Sequence, residues 1–167
     1  MAGKKFSEFT SGVAVDSNTR IAGYVNGGTT NNIYTPTELA AGLQQHLLQS
    51  FIVAASDETT ALTTGTNKAV FRMPYAFTLT AVRASLTTAG STSGVTTIDI
   101  NESGSSVLST LITIDQGELT STTAATPPVI SDAALADDAQ MTIDIDGLSG
   151  GATETGLKVT LIGYKTS

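Results

Sequence analysis

"FTLTAVRASL", residues 77–86, decides the fold class. Its polar and apolar residues take turns: Phe77, Leu79 and Ala81 fall on one side, and Thr78, Thr80 and Val82 on the other. A period of two is the period of a strand. The same pattern recurs down the chain. "VTTIDIN" (residues 95–101) and "VLSTLITID" (107–115) flank a Gly104-Ser105-Ser106 turn and read as a hairpin. "PPVISD" (127–132) reads as a short edge segment, and "AQMTIDID" (139–146) as a strand stopped by Gly147. "GLKVTLIGY" (156–164) is the last strand, and "VFRMP" at the front of the series ends on Pro74. Short strands at this spacing, with no long helical crossover between them, predict a mainly β, antiparallel, jelly-roll-like β-sandwich over residues 69–167.

Upstream the period changes. In "NNIYTPTELAAGLQQHLLQSF" (residues 31–51), Thr35 and Glu38 make a capping box and Pro36 takes the first helical position. Leu39, Leu43, Leu47 and Phe51 recur every four residues, which predicts one α-helix with an apolar stripe. Such a helix is marginal in water and needs a surface on which to dock. Before it, Ile21 and Tyr24 precede an Asn26-Gly27-Gly28 turn, with Ile33 and Tyr34 beyond, as in a small hairpin. The expected division is an N-terminal arm and helix over 1–55, a polar linker over 56–68, and the β domain over 69–167.

Composition narrows the function. A net charge of −7 argues against a nucleic-acid partner. The longest apolar run, Phe51–Ala55, falls far short of the roughly 20 residues of a membrane helix, so no membrane insertion is expected. The absence of Cys removes disulfides and thiolate metal sites. His46 is the sole histidine and lies beside the helical stripe. No nucleophile elbow, His-rich metal motif or phosphate loop occurs, so the chain reads as non-enzymatic and without a cofactor.

Two site readings remain. Asp99 and Asn101 share one strand face, as do Asp144 and Asp146, in two stretches that echo each other: "TTIDINESG" (96–104) and "MTIDIDGLSG" (141–150). Hard oxygen ligands suit Ca²⁺, but a calcium loop needs more ligands at fixed spacing. Solvent-facing residues on two equivalent strands are the favoured reading, and no metal is expected. Tyr75 and Tyr164 are the candidate platforms for a glycan, weighed against packing in the core or at an interface.

The segment "KKFSEFTSGVAVDSNTRIAGYVNGGTTNNIYTPTELAAGL" resembles the N-terminal attachment segment of tailed-bacteriophage fibre and other virion proteins. Phe6, Phe9, Ile21, Gly23, Tyr24, Thr35, Glu38 and Leu39 carry the resemblance. "NKAVFRMPYAFTLTAVRASL", "TIDINESGSSVLSTLITID" and "GLKVTLIG" resemble C-terminal β-sandwich domains of phage proteins. Typical tail fibres are longer and have a shaft, which this chain lacks. The resemblance implies a virion structural protein assembled in the host cytoplasm: a capsid decoration or cement protein, or a short head fibre. Its partners would be capsid or tail proteins, and its assembly a homotrimer. Ile21, Tyr24, Leu39, Leu43, Leu47 and Phe51 would form the anchor. The alternative is a carbohydrate-binding module of a tail fibre or knob that recognises a host surface glycan.

Overall fold

The computed structural model describes residues 21–24, 31–44, 47–150 and 153–166. The chain divides into two compact units, residues 1–44 and 45–167.

In the first unit, β1 (Ile21–Tyr24) pairs antiparallel with β2 (Asn31–Tyr34), Ile21 opposite Tyr34, as the hairpin reading expects. Helix α1 (Pro36–Gln44) follows directly. Its capping box forms in full. Glu38 N–H donates to Thr35 Oγ1 at 3.2 Å, and Thr35 N–H donates to Glu38 Oε2 at 2.7 Å.

The helix is shorter than the four-residue spacing suggests. Phe51 lies in a strand, β3 (Gln49–Ala54), and not on a helical stripe. The physical reason is composition and pairing together. Phe51-Ile52-Val53 is an aromatic and β-branched run, and such short apolar runs suit a strand when a partner ladder is present. That partner is β13 (Lys158–Lys165), with Phe51 opposite Leu161 and Val53 opposite Val159.

The remaining strands are β4 (Gly65–Arg72), β5 (Phe77–Ser85), β6 (Val95–Glu102), β7 (Ser105–Ser106), β8 (Leu108–Thr110), β9 (Ile112–Asp115), β10 (Val129–Ile130), β11 (Ala134–Leu135) and β12 (Gln140–Gly147). Every pairing is antiparallel. One sheet runs β11-β5-β13-β3. The other runs β4-β12-β6, with β7 and β9 both on the far side of β6. β8 and β10 pair with each other. The turn between β6 and β7 is Ser103-Gly104, both with positive φ, one residue ahead of the expected position. The expected strand 107–115 is broken at Leu111, because β8 before it pairs with β10 and β9 after it pairs with β6.

Both sheets feed one apolar core. Ile98, Ile100, Ile143, Ile145, Val159 and Leu161 are its alternate residues on three strands. β5 departs from simple alternation. Ile162 stands opposite Ala81, but the next residue, Gly163, stands opposite Leu79. Thr80 is the extra residue of a bulge, which resets the phase. The buried residues are therefore Phe77, Leu79, Val82 and Ala84; Val82 points inward and Ala81 is only half-buried, which reverses the expected faces.

Of the polar linker expected over 56–68, residues 65–68 lie in β4 and residues 56–64 run along the β unit. Leu62 is buried, and its N–H donates to the Glu154 carbonyl at 2.8 Å. Asp57 closes a tight turn by accepting from the N–H groups of Thr60 and Thr59, which lowers its pKa to about 2. Among the described residues no helix is long and apolar enough to cross a membrane.

Candidate functional site

The four acidic and amide residues singled out from the sequence lie on the outer face of the second sheet. β6 and β12 are neighbours, with Asp144 opposite Asp99 and Ile145 opposite Ile98. The two echoing stretches are thus one pair of adjacent antiparallel strands. Inward isoleucines and outward polar residues repeat on both because both line the same two surfaces.

Two of the three carboxylates already have hydrogen-bond partners. Asp144 Oδ1 accepts from Asn67 N–H at 2.7 Å, and its Oδ2 accepts from Asn101 Nδ2 at 3.2 Å. Asn67 has φ 56° and sits where β4 slips against β12, so Asp144 holds an irregular strand in place. Asp99 Oδ1 accepts from Ser106 Oγ at 2.6 Å and from Ile100 N–H at 2.7 Å. Burial lifts the Asp99 carboxyl above the ordinary aspartate range. The two hydrogen bonds oppose that rise, and the charges of Asp146 and Asp144 add to it. Asp146 is exposed at the end of the row. Among the described residues, no three His, Cys, Asp or Glu side chains are placed to hold a metal ion. Asn101, Thr142 and Asp144 line a shallow depression together with Thr66, Asn67, Gln140 and the apolar Val70. Hydroxyl, amide and carboxylate groups converge there on open solvent.

Of the aromatic candidates, Tyr75 lies in the bend between β4 and β5, and Tyr164 belongs to the other sheet. Tyr75 is half-buried, its ring 6.3 Å from that of Phe77, and its hydroxyl donates to Gln49 Oε1 at 2.9 Å. Lys165 Nζ lies 5.3 Å from the ring centroid. These contacts make Tyr75 an edge of the core. Tyr164 is half-buried on β13, opposite Thr78. Neither tyrosine lines the polar depression.

The anchor candidates separate. Leu39 and Leu43 on α1 are 39% and 54% exposed, and Leu47 is exposed beyond its end. Phe51 is committed to the β unit, where its ring meets Phe77 edge-on at 5.4 Å and Phe71 at 6.4 Å. Ile21 and Tyr24 end β1, whose backbone alone is described, and His46 lies outside the described residues.

One polar cluster escaped the sequence reading. Glu154 is fully buried between the loops that follow β5 and β12. Its Oε1 accepts from Thr96 Oγ1 at 3.0 Å and from Ser149 Oγ, while Oε2 has no hydrogen-bond partner among the described residues. Burial pushes this carboxyl up. Donors from the Ser149 side chain, the Glu154 backbone, the Thr96 hydroxyl and the Ser149 backbone outweigh it, leaving the group below its usual range. The loops are zipped by Thr92 N–H to Gly150 C=O and Gly150 N–H to Ser93 C=O, both 3.0 Å. The buried carboxylate ties the loops together; a lone Glu in "SGGATETGL" carries no signal of that.

No protein-family model, no curated protein and no solved structure matches the chain.

Proposed function

We propose that the chain is a non-enzymatic structural protein of a tailed-bacteriophage virion, anchored to the capsid or tail by its N-terminal arm. The second unit is the displayed head, its two sheets forming a jelly-roll-like antiparallel sandwich. In this reading the protein is a capsid decoration or cement protein, or a short head fibre, and assembles as a homotrimer in the host cytoplasm. The observation that carries it is the division of labour along the chain. A capped helix leaves Leu39 and Leu43 exposed, and neither enters the core, which the β unit builds from its own residues. Phe51 packs against that core and so leaves the anchor, whereas Leu47, like Leu43, stays exposed.

The test is Leu43→Asp against Thr37→Asp in particles produced with each variant. A carboxylate buried at an anchoring contact is costly, by a few kcal/mol, whereas Thr37 is exposed. Leu43→Asp should be lost from particles with the β unit still folded, and Thr37→Asp retained. Normal incorporation of Leu43→Asp would refute the anchor.

The alternative, recognition of a host glycan, takes its support from the polar depression beside Asn101 and Asp144 and not from Tyr75. Thr142→Trp would fill that depression. Unchanged binding to host surface polysaccharide would dismiss it.

A further inference from the structure

The first sheet ends on β3, and this edge differs from the other edges among the described strands. β3 is bonded to β13 along its length on one side, and no described strand lies on the other. Ala55 N–H donates to Leu157 C=O at 2.8 Å, just beyond the ladder, and so sets its phase. Alternation then turns the N–H and C=O groups of Phe51 and Val53 toward β13, and those of Ser50, Ile52 and Ala54 toward the open side.

Nothing in the sequence guards that open side. β3 contains no charge, no Pro and no residue of positive φ, and Ile52 is 65% exposed. Edge strands ordinarily carry such devices because an open row of amides is a template for another strand. The other edges do carry them. β4 has Lys68, Arg72 and the break at Asn67. β7, β10 and β11 are two residues each. β9 packs against the 3-10 turn at Ser121–Thr123.

We propose that β3 is a self-association edge, at which two copies of this chain join antiparallel across a twofold axis and continue one sheet into the next. Charge selects a second copy as the occupant. The chain carries −7, yet no Asp, Glu, Lys or Arg occurs between Glu38 and Asp57, so two like-charged molecules meet here without opposing side-chain charges. Hydrogen-bond phase selects the register. Outward residues must face outward residues, and a twofold at Ile52 places Ser50 opposite Ala54 and Ile52 opposite itself. Closure selects the symmetry. A ring would need β3 to meet a different edge, and those are short or guarded, whereas a twofold needs only β3 itself. The contact is separate from any assembly through residues 1–44.

The absence of Cys makes the test clean. Ile52→Cys puts the chain's sole thiol on the axis, where opposed Cα atoms about 5.5 Å apart suit a disulfide. Mild oxidation of the full-length variant should yield a covalent dimer. Val70→Cys, also exposed (53%) but on the guarded β4 edge, should not. Ile52→Lys should halve the sedimentation mass of the full chain with its far-ultraviolet spectrum unchanged. Equal masses for wild type and Ile52→Lys overturn the proposal and leave the edge to a strand of another protein. Equal cross-linking at positions 52 and 70 also overturns it.

Discussion

Replacing Phe51 by Ala tests where the helical part of this chain stops and the β unit starts. The ring is half-buried, edge-on to Phe77 at 5.4 Å and to Phe71 at 6.4 Å, on a strand that pairs with β13. Truncating a fully buried Phe costs about 3–5 kcal/mol, so a half-buried one should cost about 2–3 kcal/mol. The two edge-to-face contacts, worth about 0.5–1.5 kcal/mol each, account for much of that. For a unit of this size each kcal/mol lowers the melting midpoint by about 3–5 °C, so the expected drop is about 6–15 °C. Leu43→Ala, on the exposed face of α1, should change stability by less than about 0.5 kcal/mol. Both variants are to be melted as full-length chains, followed by circular dichroism. A midpoint unmoved by Phe51→Ala would refute the assignment of residues 49–54 to the sheet. A large loss from Leu43→Ala would show that α1 stabilises the β unit.

Gly90→Ala should destabilise by at least about 2 kcal/mol in urea titration, because its Cβ would stand 1.6 Å from Ser149 Oγ and 2.7 Å from Glu154 Oε1. Asp99→Asn should raise the melting midpoint at neutral pH. The folded-state pKa of Asp99 lies above the unfolded one, so its contribution is complete below the unfolded pKa and is lost as pH rises through the folded value. The gain should accordingly shrink as the pH of the melt is lowered toward about 4. A fragment of residues 69–167 lacks β3, Leu62 and half of β4, and should show no cooperative melting; a fragment of residues 45–167 should melt cooperatively. Chelator should leave the midpoint of the full chain unchanged, since Asp99, Asn101 and Asp144 are already engaged with protein partners; a large fall would restore calcium.

The strands that could be read directly were those with both faces defined by side-chain polarity. β6 and β12 alternate Ile with Asp or Asn because one face meets the core and the other the solvent. The Thr35–Glu38 box was legible because all its atoms are local. Phe51 was misleading for the opposite reason. Its spacing from Leu47 fits a helix, and only the distant β13 ladder decides otherwise. The Thr80 bulge is likewise set by the register against Gly163, where a Cβ would lie 2.0 Å from the Thr78 carbonyl oxygen. The role of Asp144 was hidden because its partner is a backbone N–H on β4, 77 positions away. Glu154 was hidden because its hydroxyl partners sit on β6 and in its own loop, and Thr and Ser are common throughout the chain.

The position of β13 between β5 and β3 sets a timetable for synthesis. β3 leaves the ribosome well before its partner, which begins at Lys158, opposite Ala54 and 104 positions later (158 − 54). At about 5–20 residues per second, an uncharged apolar strand waits about 5–20 s for its ladder. Over that interval the nascent chain exposes Phe51, Ile52 and Val53, and neighbouring chains on one messenger expose the same segment. The crowding of polysomes, more than the stability of the finished sheet, should limit the yield of folded protein, and slower initiation or a lower growth temperature should raise it.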